Sequence, residues 1–276
     1  MSQIEFLVFN YFITPIPVSV LLIYGYISYG QKKRYQKLFL ISLFTLAFLF
    51  VAPTSVARFL AITLYLAILL RFTQMLEKRY VFQIGSIFGL MIVMPFLDKF
   101  RHFDVKTFDF SIDFTFLSQG HFDAYQNFVR LLSIDYISYG NQLLGALFFY
   151  IPRSMWADKP IGSGSFVASL GNLKFDNVSM PFIGEGYINF SILGSVIFMM
   201  LLGMVSGKLD KYYWSLRTYI DNHWFFNIYY LSLGMSFFIL RGDLMSSFAY
   251  TVTIVGTYMA LMYLIYLYST IKIRGN

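Results

Sequence analysis

The sequence predicts an all-α integral membrane protein with about seven transmembrane helices and one large external loop. Two observations carry this. The chain is 58% hydrophobic and only 13% charged, too apolar for an ordinary soluble domain. Its apolar runs are separated by short loops, and the basic residues fall in those loops rather than on one soluble face. The net charge of +7 is therefore read as a topology signal and not as a nucleic-acid footprint.

Four runs lie in a first segment, 1–97: about Phe6–Tyr29 (interrupted by Pro15 and Pro17), Leu38–Ala52, Phe59–Met75 and Tyr80–Leu97. Three lie in a last segment, 187–276: about Tyr187–Gly207, His223–Leu240 and Leu244–Ser269. The second and third are short for a span, which needs roughly 17–25 residues. Lys32, Lys33, Arg34 and Lys37 follow the first run, Lys78 and Arg79 the third, Lys208, Lys211 and Arg217 the fifth, and Lys272 and Arg274 end the chain. With the N-terminus outside, all four groups face the cytoplasm. The C-terminus is then cytoplasmic, and the segment 98–186 is external.

The early charge Glu5 and the absence of a basic leader argue against a signal peptide. An odd number of spans beginning outside is what a C-terminal part of a longer protein would have. With no cysteine, disulfides, thiolate nucleophiles and cysteine-bound metals are excluded. No repeat of 20–50 residues and no inverted symmetry is visible.

Within 98–186, the spacing of Phe122, Tyr125, Phe128, Val129, Leu132 and Tyr136 predicts an amphipathic helix lying on the membrane or capping the bundle, with Gly140 as its stop. Leu143–Ile151 is apolar but too short to span, and is expected to be re-entrant or buried, ending at Pro152.

Candidate site residues cluster at the edges of these runs. Arg58, Arg153 and Arg241 are external arginines beside apolar helices. Singly, each reads as a snorkelling anchor. Together, with Lys159, they suggest a bidentate clamp for a lipid-linked phosphate or diphosphate. Glu185, between two glycines, is read either as a first-turn helix acid or as a general base for an acceptor hydroxyl. Asp158 is read as an ion-pair partner of Lys159 or Arg153, or as the alternative base. Trp156 is an interface anchor or a sugar-stacking ring. Gly162–Gly164 forms either a flexible turn or an anion nest. His102 and His121 lack the spacing of a metal site. No Asp or Glu stands in mid-span, as ion-coupled carriers commonly require. Phosphate-loop, nucleophile-elbow and zinc-protease motifs are missing.

Four stretches, in this order and spacing, resemble the bacterial O-antigen and capsule repeat-unit polymerases (Wzy type): "APTSVARF" from Ala52, "FFYIPRSMWADKP" from Phe148, "IGEGYINFSILGSVIFMMLLG" from Ile183, and "LRGD" from Leu240. The resemblance implies a multi-span fold similar to GT-C glycosyltransferases and O-antigen ligases. It implies transfer of a growing glycan from undecaprenyl diphosphate to a new lipid-linked repeat unit at the external face of the bacterial inner membrane, without metal, nucleotide or other cofactor. Arg153, Trp156 and Lys159 match the family's central block, Arg58 and Arg241 its short arginine motifs, and Glu185 its glycine-flanked glutamate. The expected partners are undecaprenyl-diphosphate-linked oligosaccharides, membrane lipids and a chain-length regulator protein, with no nucleic acid. Family members usually carry more N-terminal spans, so the chain is expected to be a shortened member. An O-antigen ligase, a lipid-linked-sugar flippase or carrier, and a membrane scaffold are the competing expectations.

Overall fold

The computed structural model describes residues 5, 7–31, 34–52, 56, 58–73, 75–78, 80–93, 123–173 and 178–274. His102, His121, Lys32, Lys33, Arg79 and most of the turn before Arg58 lie outside the described residues. Among those described, the chain is helical and contains no strand. A π-helical turn, Val8–Ile13, runs into α1 (Pro15–Ile27), where Pro15 stands at the start because an N-terminal position needs no backbone donor. Then follow α2 (Arg34–Phe50), α3 (Arg58–Phe72) and α4 (Val81–Phe88), which continues as a π-helical turn, Gly89–Val93. The middle of the chain forms α5 (Ala124–Ile134), α6 (Asn141–Leu147) and α7 (Ser163–Leu170). Three longer helices close it: α8 (Phe182–Arg217), α9 (Trp224–Arg241) and α10 (Leu244–Arg274).

Among the described residues, three stretches are long and apolar enough to cross a membrane: Val8–Ile27, Phe182–Arg217 and Leu244–Ile271. Tyr35–Phe50 and Leu60–Phe72 are apolar but shorter.

The chain forms two compact units. The first comprises 1–77, 211–234 and 250–276; the second comprises 78–210 and 235–249. Contiguous chain segments and compact units therefore do not coincide.

In the first unit, buried polar side chains bind backbone carbonyls. Asn227, fully buried, donates to Leu22 O at 2.9 Å, and Tyr258 Oη donates to Trp224 O at 2.8 Å. Tyr213 stacks on Tyr229 with ring centroids 4.1 Å apart, and Arg217 pairs with Glu77.

In the second unit, α5 packs Phe128, Leu131 and Ile134 against Val167, Met180, Tyr187 and Ile188. The helix lies where the spacing predicts it; Phe128 of the predicted apolar set joins this core, and Tyr125, Val129, Leu132 and Tyr136 are exposed. Apolar residues stand on two faces of this helix, and periodicity alone does not choose between them. Nor does Gly140 stop it: the helix ends at Asp135, which is left-handed at φ 49°, and Gly140 opens α6 at φ 89°.

The largest departure is in α8. The sequence reading starts a straight span at Tyr187, whereas the helix starts at Phe182 and breaks at Phe190–Ser191. Ser195 Oγ donates to Ile183 O at 2.9 Å, and the backbones of Gly186 and Gly194 touch. Residues 182–189 therefore fold back against 194–198. Hydropathy averages over such a turn, but the two glycines permit it: a Cβ on either would collide with the other's carbonyl. Ser191, at φ 59° and ψ −153°, occupies a region that is essentially glycine's.

Gly186→Ala or Gly194→Ala should each lower stability by about 1–3 kcal/mol through overpacking. Ser191→Gly should raise it by up to about 1–3 kcal/mol through released strain. Thermal unfolding of the detergent-solubilised protein checks both, and a neutral Gly194→Ala would reject the close crossing.

Candidate functional site

The site in the second unit is built where the short arm 182–189 of α8 meets the starts of α7 and α10. Pro181 O accepts the amides of Gly184 and Glu185 at 2.7 and 3.1 Å, so the arm begins as a tight helical turn with Glu185 in it. Glu185 does not cap its own helix. It is 1% exposed, and its two oxygens bond outward. Oε2 accepts Ser163 Oγ at 2.7 Å and Oε1 accepts Leu244 N at 2.9 Å. One carboxylate thus joins the first residues of α7 and α10.

Asp243 lies beside it. Its Oδ1 accepts Ser246 N at 3.2 Å, the N-cap bond of α10, and its Oδ2 accepts Gly164 N at 3.2 Å, a free amide at the start of α7. Both carboxylates sit against positive helix ends, where anionic groups are favoured. Burial pushes the Asp243 carboxyl above its ordinary range, and the amides of Gly164 and Ser246 pull partly the other way. Gly162 has no room for a side chain because a Cβ there would collide with this carboxylate. The group facing Gly162–Gly164 is therefore a carboxylate of the chain itself, and these residues open a helix rather than forming the expected flexible turn.

Asn189, fully buried, locks the other end of the arm. Its Oδ1 accepts Leu143 N at 2.8 Å, capping α6, and its Nδ2 donates to Glu185 O at 2.8 Å. The backbone adds Ser138 N to Ile188 O at 2.7 Å.

After α6 the chain turns through Pro152 into a loop held by two cations. Arg153 donates from Nη1 to Lys159 O at 2.6 Å and from Nη2 to Pro160 O at 3.1 Å. Lys159, 8% exposed, donates in the reverse direction to Phe149 O at 2.7 Å and Ile151 O at 2.9 Å. Burial lowers the Lys159 ammonium below its ordinary value, and the neighbouring Arg153 lowers it further.

Asp158 is exposed and pairs with neither cation, which corrects the expected ion pair. The backbone carbonyls of the loop already take the hydrogen bonds that such a pair would have made. Trp156 is partly exposed on the same loop. Arg241, at the end of α9, pairs with Asp123 at 3.3 Å, and Ser179 Oγ donates to the same Asp123 oxygen at 2.9 Å. Arg58 opens α3 in the first unit, and its side chain lies outside the described residues.

Glu185, Arg153, Lys159 and Arg241 were found from the sequence as charges at apolar edges. Asp243, Asp123, Ser163 and Asn189 were missed. Asp243 carried a usable signal, an Asp just before an apolar helix in "RGDLMSS", which is an N-cap pattern. Among the described residues no group of three His, Asp or Glu side chains is placed to hold a metal ion.

Fold and site together define an all-helical chain, with helices fit for a membrane, that buries a carboxylate pair at converging helix starts. Comparison with protein-family models, curated proteins and solved structures returns no match for this chain.

Asp243 binds its proton more tightly folded than unfolded, because its folded value is raised. Its contribution is therefore full below the unfolded value near about 3.9 and is lost as pH rises towards the raised folded value. Asp243→Asn keeps the N-cap acceptor and should flatten this fall, checked by unfolding midpoints between about pH 4 and 8. An unchanged slope would remove Asp243 as its source.

Proposed function

We propose that this chain is a membrane glycosyltransferase of the polysaccharide-polymerase type. It would join undecaprenyl-diphosphate-linked oligosaccharide repeat units into O-antigen, capsule or exopolysaccharide at the external face of the bacterial inner membrane. The observation that carries the reading is the loop from Phe148 to Pro160. Arg153 and Lys159 are held together there, and among the described residues neither is paired with a carboxylate. Two fixed positive charges without an internal counter-ion suit a diphosphate.

In the proposed reaction the acceptor hydroxyl attacks the anomeric carbon of the donor sugar. The bond from that carbon to the diphosphate oxygen breaks, and the electron pair leaves with the diphosphate. Arg153 and Lys159 would stabilise that leaving charge from a preorganised position. The acceptor proton passes to a carboxylate, assigned to Glu185, whose oxygens are already oriented by Ser163 and Leu244. Asp158, exposed on the cationic loop, is the alternative acceptor of that proton. Arg241 would act on the diphosphate only by sharing itself with Asp123. Arg58 is assigned to diphosphate binding on its sequence motif alone, and Trp156 to sugar stacking.

On this reading α2, α3, α4 and α9 also cross the membrane, giving about seven spans with the basic loops and the C-terminus in the cytoplasm. The exposed apolar stripe of Tyr125, Val129 and Leu132 on α5 suits a helix at the external membrane interface. A chain-length regulator is a proposed protein partner.

In a strain lacking its own polymerase but carrying matching glycan genes, the chain should produce a ladder of repeat lengths. Arg153→Ala should reduce polymer yield by about 10²-fold or more, as the loss of one charge-stabilising donor does. Glu185→Gln should abolish the ladder while the protein still reaches the membrane. Wild-type length and yield from Arg153→Ala would end the diphosphate assignment, and glycan attached to lipid A core without a ladder would point to a ligase.

A further inference from the structure

The first unit contains a second basic feature, built from residues that the proposed reaction does not use. A cleft of about 250 Å³ opens between the end of α1, the turn after it, the start of α2 and the end of α3. Arg71 and Lys37 bring two cations to its wall, Gln31 and Gln36 two amides, and Tyr24 and Ser28 two hydroxyls. Among the described residues no Asp or Glu lines it.

Arg71 is the centre of the arrangement. Its guanidinium is partly buried and faces the Tyr29 ring at 5.8 Å from the centroid. Both of its hydrogen bonds leave from Nη2, one to Gly25 O and one to Asn222 Oδ1 at 2.8 Å. These are neutral acceptors, so its charge is not compensated within the described residues. Gly25 makes the approach possible, since a Cβ there would come within 3.2 Å of Arg71 Nε and 2.8 Å of the Phe72 ring. Lys37 is exposed and makes no hydrogen bond or ion pair among the described residues. The partly buried Arg71 guanidinium and the exposed Lys37 ammonium match the chemistry of a phosphate group, while Tyr24, Ser28, Gln31 and Gln36 already donate within the chain and fix the wall. The position, where apolar helices end beside basic loops, is where anionic headgroups are held between transmembrane helices.

We propose that this cleft binds a phosphate group, with Arg71 as the fixed donor and Lys37 as the exposed second charge. The group comes either from an anionic lipid headgroup or from a free phosphate. The site is independent of the polymerase reading.

Two arms on the purified full chain test it. In the first, protein in detergent is equilibrated with mixed micelles of phosphatidylglycerol and phosphatidylcholine, and retained lipid is counted by native mass spectrometry. In the second, the unfolding temperature is followed against inorganic phosphate. Lys37→Gln is the main variant, because Lys37 supports no internal bond; Arg71→Gln is compared wherever it folds. Preferential retention of phosphatidylglycerol that falls about fivefold in Lys37→Gln, the factor expected of one basic group at an anionic surface, supports the proposal with lipid as the source. No lipid preference, but a phosphate-dependent rise in unfolding temperature that Lys37→Gln loses, supports it with a free phosphate as the source. If neither arm depends on Lys37, the proposal is overturned.

Discussion

Two acid side chains placed against two helix starts are the constraint on which the second unit depends. Glu185 stands in the first turn of α8 and Asp243 just after α9, yet each accepts bonds from the first residues of both α7 and α10. A buried carboxylate is tolerated only where donors replace its lost water. Here the donors are a serine hydroxyl and three backbone amides left unsatisfied by helix geometry. The helix starts need acceptors and the acids need donors, so burying both together resolves two costs with one set of bonds. Burial nevertheless raises the Asp243 carboxyl above its ordinary range, and this makes the acid sensitive to protons.

The arm 182–189 follows from this. It can present Glu185 to α7 and α10 only by folding back against 194–198, and it can fold back only because Gly186 and Gly194 let two backbones meet. The strained Ser191 lies at the bend, where packing on both sides over-determines the backbone. Asn189 then transmits the arm's position to α6, and α6 leads into the cationic loop. Acid pair and cations are thus held by one continuous set of hydrogen bonds within the unit. That is the positioning a transfer reaction needs from a scaffold.

The cationic loop also illustrates how an arginine and a lysine can be structural and available at once. Each uses donors on carbonyls of the other's stretch of backbone, so the loop closes without a carboxylate. A carboxylate at the same place would have neutralised the charge as well as closing the loop. Asp158, next in sequence to Lys159, stays exposed instead.

The sequence by itself determined the helical class, the apolar stretches and the charged residues at their edges, because composition and spacing record how each segment meets lipid or water. It located Arg153, Lys159 and Glu185, whose charges are conspicuous beside apolar runs. It did not contain the fold-back at Phe190–Ser191, since hydropathy is a local average and a turn between two apolar arms leaves it unchanged. It did not choose the buried face of α5, where Leu131 and Ile134 compete with Tyr125 and Val129 on chemically similar terms. Nor did it bring Asp243 to Glu185, Asn189 to α6, or Arg241 to Asp123. Those pairings join residues far apart in the chain, and only tertiary structure decides them, because a hydrogen bond depends on where two backbones end up and not on the residues that flank either one.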